Sequence, residues 1–259
     1  MYMTNYVNRF GRARWYENAG LVVNMGAAVF MSNTISEDWS QMIVGFNASM
    51  LTILVGTFGP AVVDRAASLD LSMISFPHLS ERFELITIIT FGQTVVTVAE
   101  VFDEAGFGAA SIMTFACVIA PFGCYVVQVH DLVEHRQVRR GLHMIYCHFL
   151  IVIAFNLFTV SLNLLLEDPR PTAAVCAIAA LALSVFFLSL FLLSTYHRGT
   201  VTFSRRDWTV LTVIVTAGCA LTFSGTGVGI LGFLSGPFLA AAGVLSLLLT
   251  KESGTKPVA

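Results

Sequence analysis

Charge is scarce in this chain: of 259 residues only 12% are Asp, Glu, Lys or Arg, against 56% hydrophobic. That is too little polar surface to clothe a soluble domain of this length. Cysteine is sparse as well, and Cys117, Cys124, Cys147, Cys176 and Cys219 all fall inside apolar runs with no CxxC spacing. A disulfide framework or a cysteine metal site is therefore not expected, and buried thiols of this kind serve as small packing residues. Short segments of alternating polarity are missing, which excludes a membrane β-barrel. No Ser/His/Asp or Cys/His arrangement is present, so no catalytic residue and no cofactor is assigned. The basic loops are short and lack the motifs of nucleic-acid modules, so no nucleic-acid partner is expected. The polar, Arg-bearing first 18 residues do not have the pattern of a cleavable signal peptide.

What the chain has is eight long apolar runs, at about 19–35, 39–62, 83–102, 107–130, 142–166, 172–196, 208–226 and 228–249. Each is close to the roughly 20 residues that a helix needs to cross the hydrocarbon of a bilayer. Backbone polar groups must be satisfied internally in lipid, so the runs are expected to be helices. Thirteen of the fourteen Lys and Arg residues lie in alternate gaps between the runs. Arg9, Arg12 and Arg14 precede the first, and Arg65 and Arg82 follow the second. Arg136, Arg139 and Arg140 follow the fourth; Arg198, Arg205 and Arg206 the sixth; Lys251 and Lys256 the eighth. The other gaps hold Arg170 alone beside Glu37, Asp38, Glu100, Asp103, Glu104, Glu167 and Asp168. Basic residues collect on the cytoplasmic side, so the pattern predicts an all-α, polytopic bundle of eight spans with both termini cytoplasmic. The expected location is the cytoplasmic (inner) membrane, multi-pass, as a single transmembrane domain with a disordered tail at 250–259.

Extramembrane stretches are short, and SGTGVG at 224–229 lacks the GK[ST] ending of a phosphate loop. It is read as a tight reversal between two spans, for which glycine is suited. Pro121 sits inside the fourth span, where it deletes a backbone hydrogen bond and kinks the helix.

Polar residues inside spans are the candidates for function. On a helix Thr90, Gln93, Thr97 and Glu100 share one face. Gln93 lies about 14 Å along the axis from Glu84, near the middle of the bilayer. A second polar set, His148, Asn156, Thr159 and Asn163, marks the fifth span. Facing polar side chains glue helices together, and the same chains can line a hydrated path in which His148 and Glu100 titrate. His130 and His135, like His143 and His148, are five residues apart, about 140° around a helix, and neither pair chelates well. No metal site is assigned.

Residues 78–94, HLSERFELITIITFGQT, resemble the signature of the bacterial low temperature requirement A (LtrA) family of membrane proteins, through His78, Glu81, Arg82, Phe83, Leu85 and Gly92. The family's glutamate after the glycine is Gln93 here, and an amide can hydrogen-bond a substrate without carrying a proton. Family members are also longer at the start, so the resemblance covers their C-terminal two-thirds. The likeness implies a class of membrane protein rather than a defined activity.

The expectation is thus a carrier or permeation pathway for a small polar solute or ion. Thr90, Gln93, Thr97, Glu100, His148, Asn156 and Asn163 would line it, and His78, Glu81, Arg82 and Glu84 would form a cytoplasmic gate. Its partners would be the lipid bilayer and that solute, with a homo-oligomer or a missing N-terminal segment as a further partner. The rivals are a membrane-state sensor or structural protein needed for growth in the cold, and, less favoured, an enzyme using His78, Glu81 and Glu84 at the inner interface.

Overall fold

A computed structural model describes residues 76–137 and 141–253. Among them there is no β-strand, only an isolated antiparallel bridge between Val133 and His197. Among the described residues six helices are long and apolar enough to cross a membrane. They are α1 (Phe76–Ala105), α2 (Ala109–Val126), α3 (Leu142–Glu167), α4 (Ala173–Leu192), α5 (Arg205–Thr222) and α6 (Ile230–Ser253). The runs read at 19–35 and 39–62, and the end of the tail, lie outside the described residues, as does the count of eight. Residues 76–82 and 136–141 belong to one compact unit, and residues 83–135 with 142–253 to a second.

Sequence explains the local boundaries. α1 starts seven residues before its apolar run, at Phe76, with Pro77 in the first turn, where a missing N–H costs nothing. Hydropathy reports only the apolar part of a helix, whereas the backbone ladder runs on into the polar HLSER segment. Gly106 closes α1 with φ of +66°, a left-handed conformation suited to glycine. Thr172 caps α4 by accepting from the Val175 N–H at 3.3 Å. Ser204 and Asp207 form a reciprocal capping box at the start of α5. The reversal at 224–229 contains a one-turn helix, Gly225–Val228, and ends on Gly229 at φ +91°.

Pro121 lies buried within α2. Beyond Val126 the same helix widens into a π turn, Val127–Asp131, closed by the Leu132 N–H on the Val127 carbonyl at 3.1 Å. Pro237 lies within α6, also buried.

The packing of the second unit is set by a few pairs. Cys117 donates to the Leu234 carbonyl at 3.2 Å and Cys124 to the Ala241 carbonyl at 3.3 Å. Both partners advance by the same seven residues, so α2 and α6 run parallel. Gly218 and Gly236 let α5 and α6 meet almost backbone to backbone, since a Cβ on Gly218 would lie 2.5 Å from that of Ala240. Small residues allow such approach in membranes, where packing rather than hydrophobicity drives association. Val98, Cys117, Phe158, Ala179 and Phe233 belong to one buried cluster, drawn from α1, α2, α3, α4 and α6. Large apolar side chains cover the outside: Ile89 is 72% exposed and Leu188 60%. Water would penalise that surface and lipid would not.

Candidate functional site

Two polar arrangements emerge, both built on the pairing of α1 with α3. The hydroxyls of Thr94 and Thr159 meet at 2.9 Å, and the Phe83 ring stacks on His148 at 5.2 Å. Each helix advances eleven residues between these contacts, so α1 and α3 are parallel. That register decides where every other side chain on the pair points.

On α1, counting from Thr94, Thr90, Thr97 and Gln93 lie about 40°, 60° and 100° around the axis to one side. On α3, counting from Thr159, Asn163 and Asn156 lie about 40° and 60° around in the opposite sense. For parallel helices facing each other, opposite rotations point to the same side. Gln93 therefore stands within about 3 Å of the height of Asn156, and Thr97 within about 1.5 Å of that of Asn163. These five uncharged polar residues flank one groove between the helices. Gln93, Asn156 and Asn163 are exposed in it, Thr90 is half-buried and Thr97 is buried. Asn156 donates to the Val152 carbonyl at 2.9 Å and Thr90 to that of Ile86 at 3.0 Å. Gly92 beside Gln93 has open space where a side chain would be. Glu100 is exposed beyond the groove, one helical turn past Thr97.

His148 is not in that groove. It is turned under the α1–α3 seam and is wholly buried. Its Nδ1 lies 2.9 Å from the Met144 carbonyl, which can only accept, so Nδ1 carries the proton. In the neutral ring Nε2 is then an acceptor, and the Tyr125 hydroxyl donates to it at 3.1 Å. The Thr87 hydroxyl, which donates to the Phe83 carbonyl at 2.9 Å, and the Glu84 carboxylate are the electrostatic neighbours of the Tyr125 hydroxyl on α1. Glu84 in turn stands 4.0 Å from His130, whose side chain is 70% exposed. A line of exchangeable groups on α1, α2 and α3 thus runs from an exposed imidazole to a buried one.

The residues read as a gate separate into two sets. His78 and Glu81 form an exposed pair at 3.7 Å, one helical turn apart, of the kind worth little in water. Arg82 is exposed in the same unit, whereas Glu84 is partly buried in the other and faces His130. Among the described residues no group of His, Cys, Asp and Glu side chains could hold a metal ion. A cavity of about 210 Å³ lies among Val101, Thr114, Leu165 and Ile230, but its walls are mainly apolar. The Thr114 hydroxyl there is engaged by the Ala110 carbonyl at 2.9 Å.

Sequence reasoning missed Thr87, Thr94 and Tyr125. The seven-residue step from Thr87 to Thr94 marks the buried seam of α1, but the richer set at Thr90, Gln93 and Thr97 marks its flank. Outside the spans, burial pushes the His197 imidazole down to about 4, beside the Phe203 ring at 5.4 Å.

No curated protein and no solved structure matches the chain. Residues 49–247 match the family described as bacterial low temperature requirement A protein (LtrA). That stretch takes in the HLSER segment, all of α1 to α5 and most of α6. With six helices of membrane-spanning length and a family match over most of its residues, this multi-pass membrane protein belongs to the LtrA family.

Proposed function

We propose that the chain is a carrier or permeation pathway for a small polar solute or ion in the cytoplasmic membrane. One observation carries this reading: the groove flanked by Thr90, Gln93, Thr97, Asn156 and Asn163, at the level where Thr94 meets Thr159. Amides and hydroxyls exposed at mid-depth need hydrogen-bonding partners, because leaving them bare in hydrocarbon is costly. A hydrated solute supplies donors and acceptors to all of them. The absence of charge from the set favours a polar substrate that moves through, since a fixed carboxylate or ammonium would hold an ion of opposite sign. The eight-span arrangement with both termini cytoplasmic is part of this proposal, as is a gate at the end where α1 begins.

A second reading rests on the same face. Gly92 leaves room for a close neighbour, and amides at such a face also join helices. A structural or sensory protein would use the groove in that way, with another helix or a second copy filling it. Thiol accessibility separates the two. Gln93→Cys in proteoliposomes should react with a small, membrane-impermeant thiol reagent if water reaches the groove. Protection of that cysteine in intact vesicles, with full labelling after denaturation, would overturn the pathway and leave the packed face.

A further inference from the structure

We propose that His148 is a proton-binding site, loaded from the end of the bundle where α1 begins, through Glu84 and the Tyr125 hydroxyl. The site is separate from the groove and does not depend on what passes along it.

The groups are graded in exposure. The His130 side chain is 70% exposed, Glu84 is 24% exposed, and Tyr125 and His148 are buried. Each group exchanges protons: His130 stands 4.0 Å from Glu84 and Tyr125 3.1 Å from His148, with Glu84 an electrostatic neighbour of Tyr125. Buried polar clusters that only hold helices together need no such graded access. Ionisable groups inside a membrane mark proton and ion paths by default.

The π turn aligns Tyr125 and His130 with their partners. Tyr125 and His130 are five residues apart, a spacing that on an α-helix separates them by about 140°. The i to i+5 bond from Leu132 to Val127 widens this stretch, so that five residues come close to one turn. Tyr125 can then face His148 while His130 faces Glu84, one turn from Thr87 on α1. Such local widening is commonly found at functional sites.

The cluster can also accept a proton without repacking. Nδ1 is committed to the Met144 carbonyl and Nε2 holds a lone pair toward Tyr125. An entering proton first neutralises the Glu84 carboxylate. Tyr125 then passes its own proton to Nε2 and takes one from the Glu84 side. The net change is one proton gained by the imidazole, with the tyrosine and the glutamate restored. Among the described residues, the titratable groups on the stretches around the ring are Glu84 on α1, Tyr125 and His130 on α2, and His143 and Cys147 on α3 itself. Tyr196 joins them after α4, where its hydroxyl accepts from the Met144 N–H at 3.3 Å. His143 is occupied by the Leu192 carbonyl at 2.9 Å. Among these described groups Glu84 is the carboxylate.

The test is ¹⁵N NMR of the full chain in lipid nanodiscs with labelled histidine, the His148 signals being identified by their loss in His148→Gln or their shift in Tyr125→Phe. The expected result is a ring protonated at Nδ1 alone near neutral pH, which gains a second proton reversibly at Nε2 on acidification. Tyr125→Phe keeps the aromatic packing and Glu84→Gln keeps the shape of the carboxyl. Each should slow proton exchange at His148 by about a hundredfold, the scale of one positioned acid–base group. A ring that stays neutral at every pH at which the protein is folded would overturn the proposal. So would exchange at the wild-type rate in both variants.

Discussion

Thr94 and Thr159 share a hydrogen bond of 2.9 Å across α1 and α3, and this single contact fixes the register of two parallel helices. Each hydroxyl also has a fallback on its own helix: Thr159 on the Phe155 carbonyl at 2.9 Å, Thr94 on that of Thr90 at 3.4 Å. Replacing Thr94 by Val therefore removes the cross-helix bond without orphaning its partner. The expected loss is about 1 kcal/mol, within the range for single polar contacts between membrane helices. A double-mutant cycle with Thr159→Val, read by thermal unfolding in detergent, should give a coupling energy of that size. Additive effects would mean that the two hydroxyls do not hold the pair together.

Two glycines should respond in opposite ways to the same small change. A Cβ at Gly236 would run into the Gly218 carbonyl and the Thr222 hydroxyl, both on the facing helix. Gly236→Ala is expected to force α5 and α6 apart and to lower the unfolding temperature by several degrees, as overpacking costs ~1–3 kcal/mol. Gly92 has nothing within 4 Å of an added Cβ. Gly92→Ala should leave the unfolding temperature unchanged or raise it, since alanine is the better helix former by about 1 kcal/mol. Equal destabilisation by both would refute the packing described for α5 and α6.

Stability should depend on pH through His197. Burial holds its folded-state value down at about 4, below the ordinary 6.5 of an exposed imidazole. Between those two values the unfolded chain binds the proton and the folded one does not, so stability falls as pH falls through that window. Above about 6.5 the residue contributes no pH dependence. Unfolding temperatures at pH 7 and pH 5 should therefore differ more in the wild type than in His197→Gln. An identical pH dependence in the two would place His197 in water.

How much of this was legible in the sequence follows from the range of the forces involved. Hydropathy is local and additive, so the apolar runs that became α1 to α6 stand out one by one. Caps are local too, and Ser204 three residues before Asp207 is a readable start to α5. The flank of α1 was also visible, because Thr90, Gln93 and Thr97 repeat at helical spacing. The pairing of that flank with Asn156 and Asn163 depends on which helix lies beside α1 and in which register, and a single chain carries no sign of either. His148 was grouped with the two asparagines because all three are polar and lie on one span. Burial separates it from them, and only the tertiary contact with Tyr125 reveals why. The π turn at Val127–Asp131 is equally silent in the sequence: Pro121 announces a disturbance in that helix, but not its position or its widening.

Conduction by the groove beside Gln93 is read by flux through purified protein in liposomes. Wild type and Gln93→Leu would be compared under imposed proton, Na⁺ and K⁺ gradients and with small neutral polar solutes, at matched incorporation. The account predicts a wild-type flux that Gln93→Leu loses by about tenfold or more, the scale of an unpaired buried polar contact of 1–3 kcal/mol, with expression and unfolding temperature unchanged. Equal flux in the two proteins, or none in either, would contradict it.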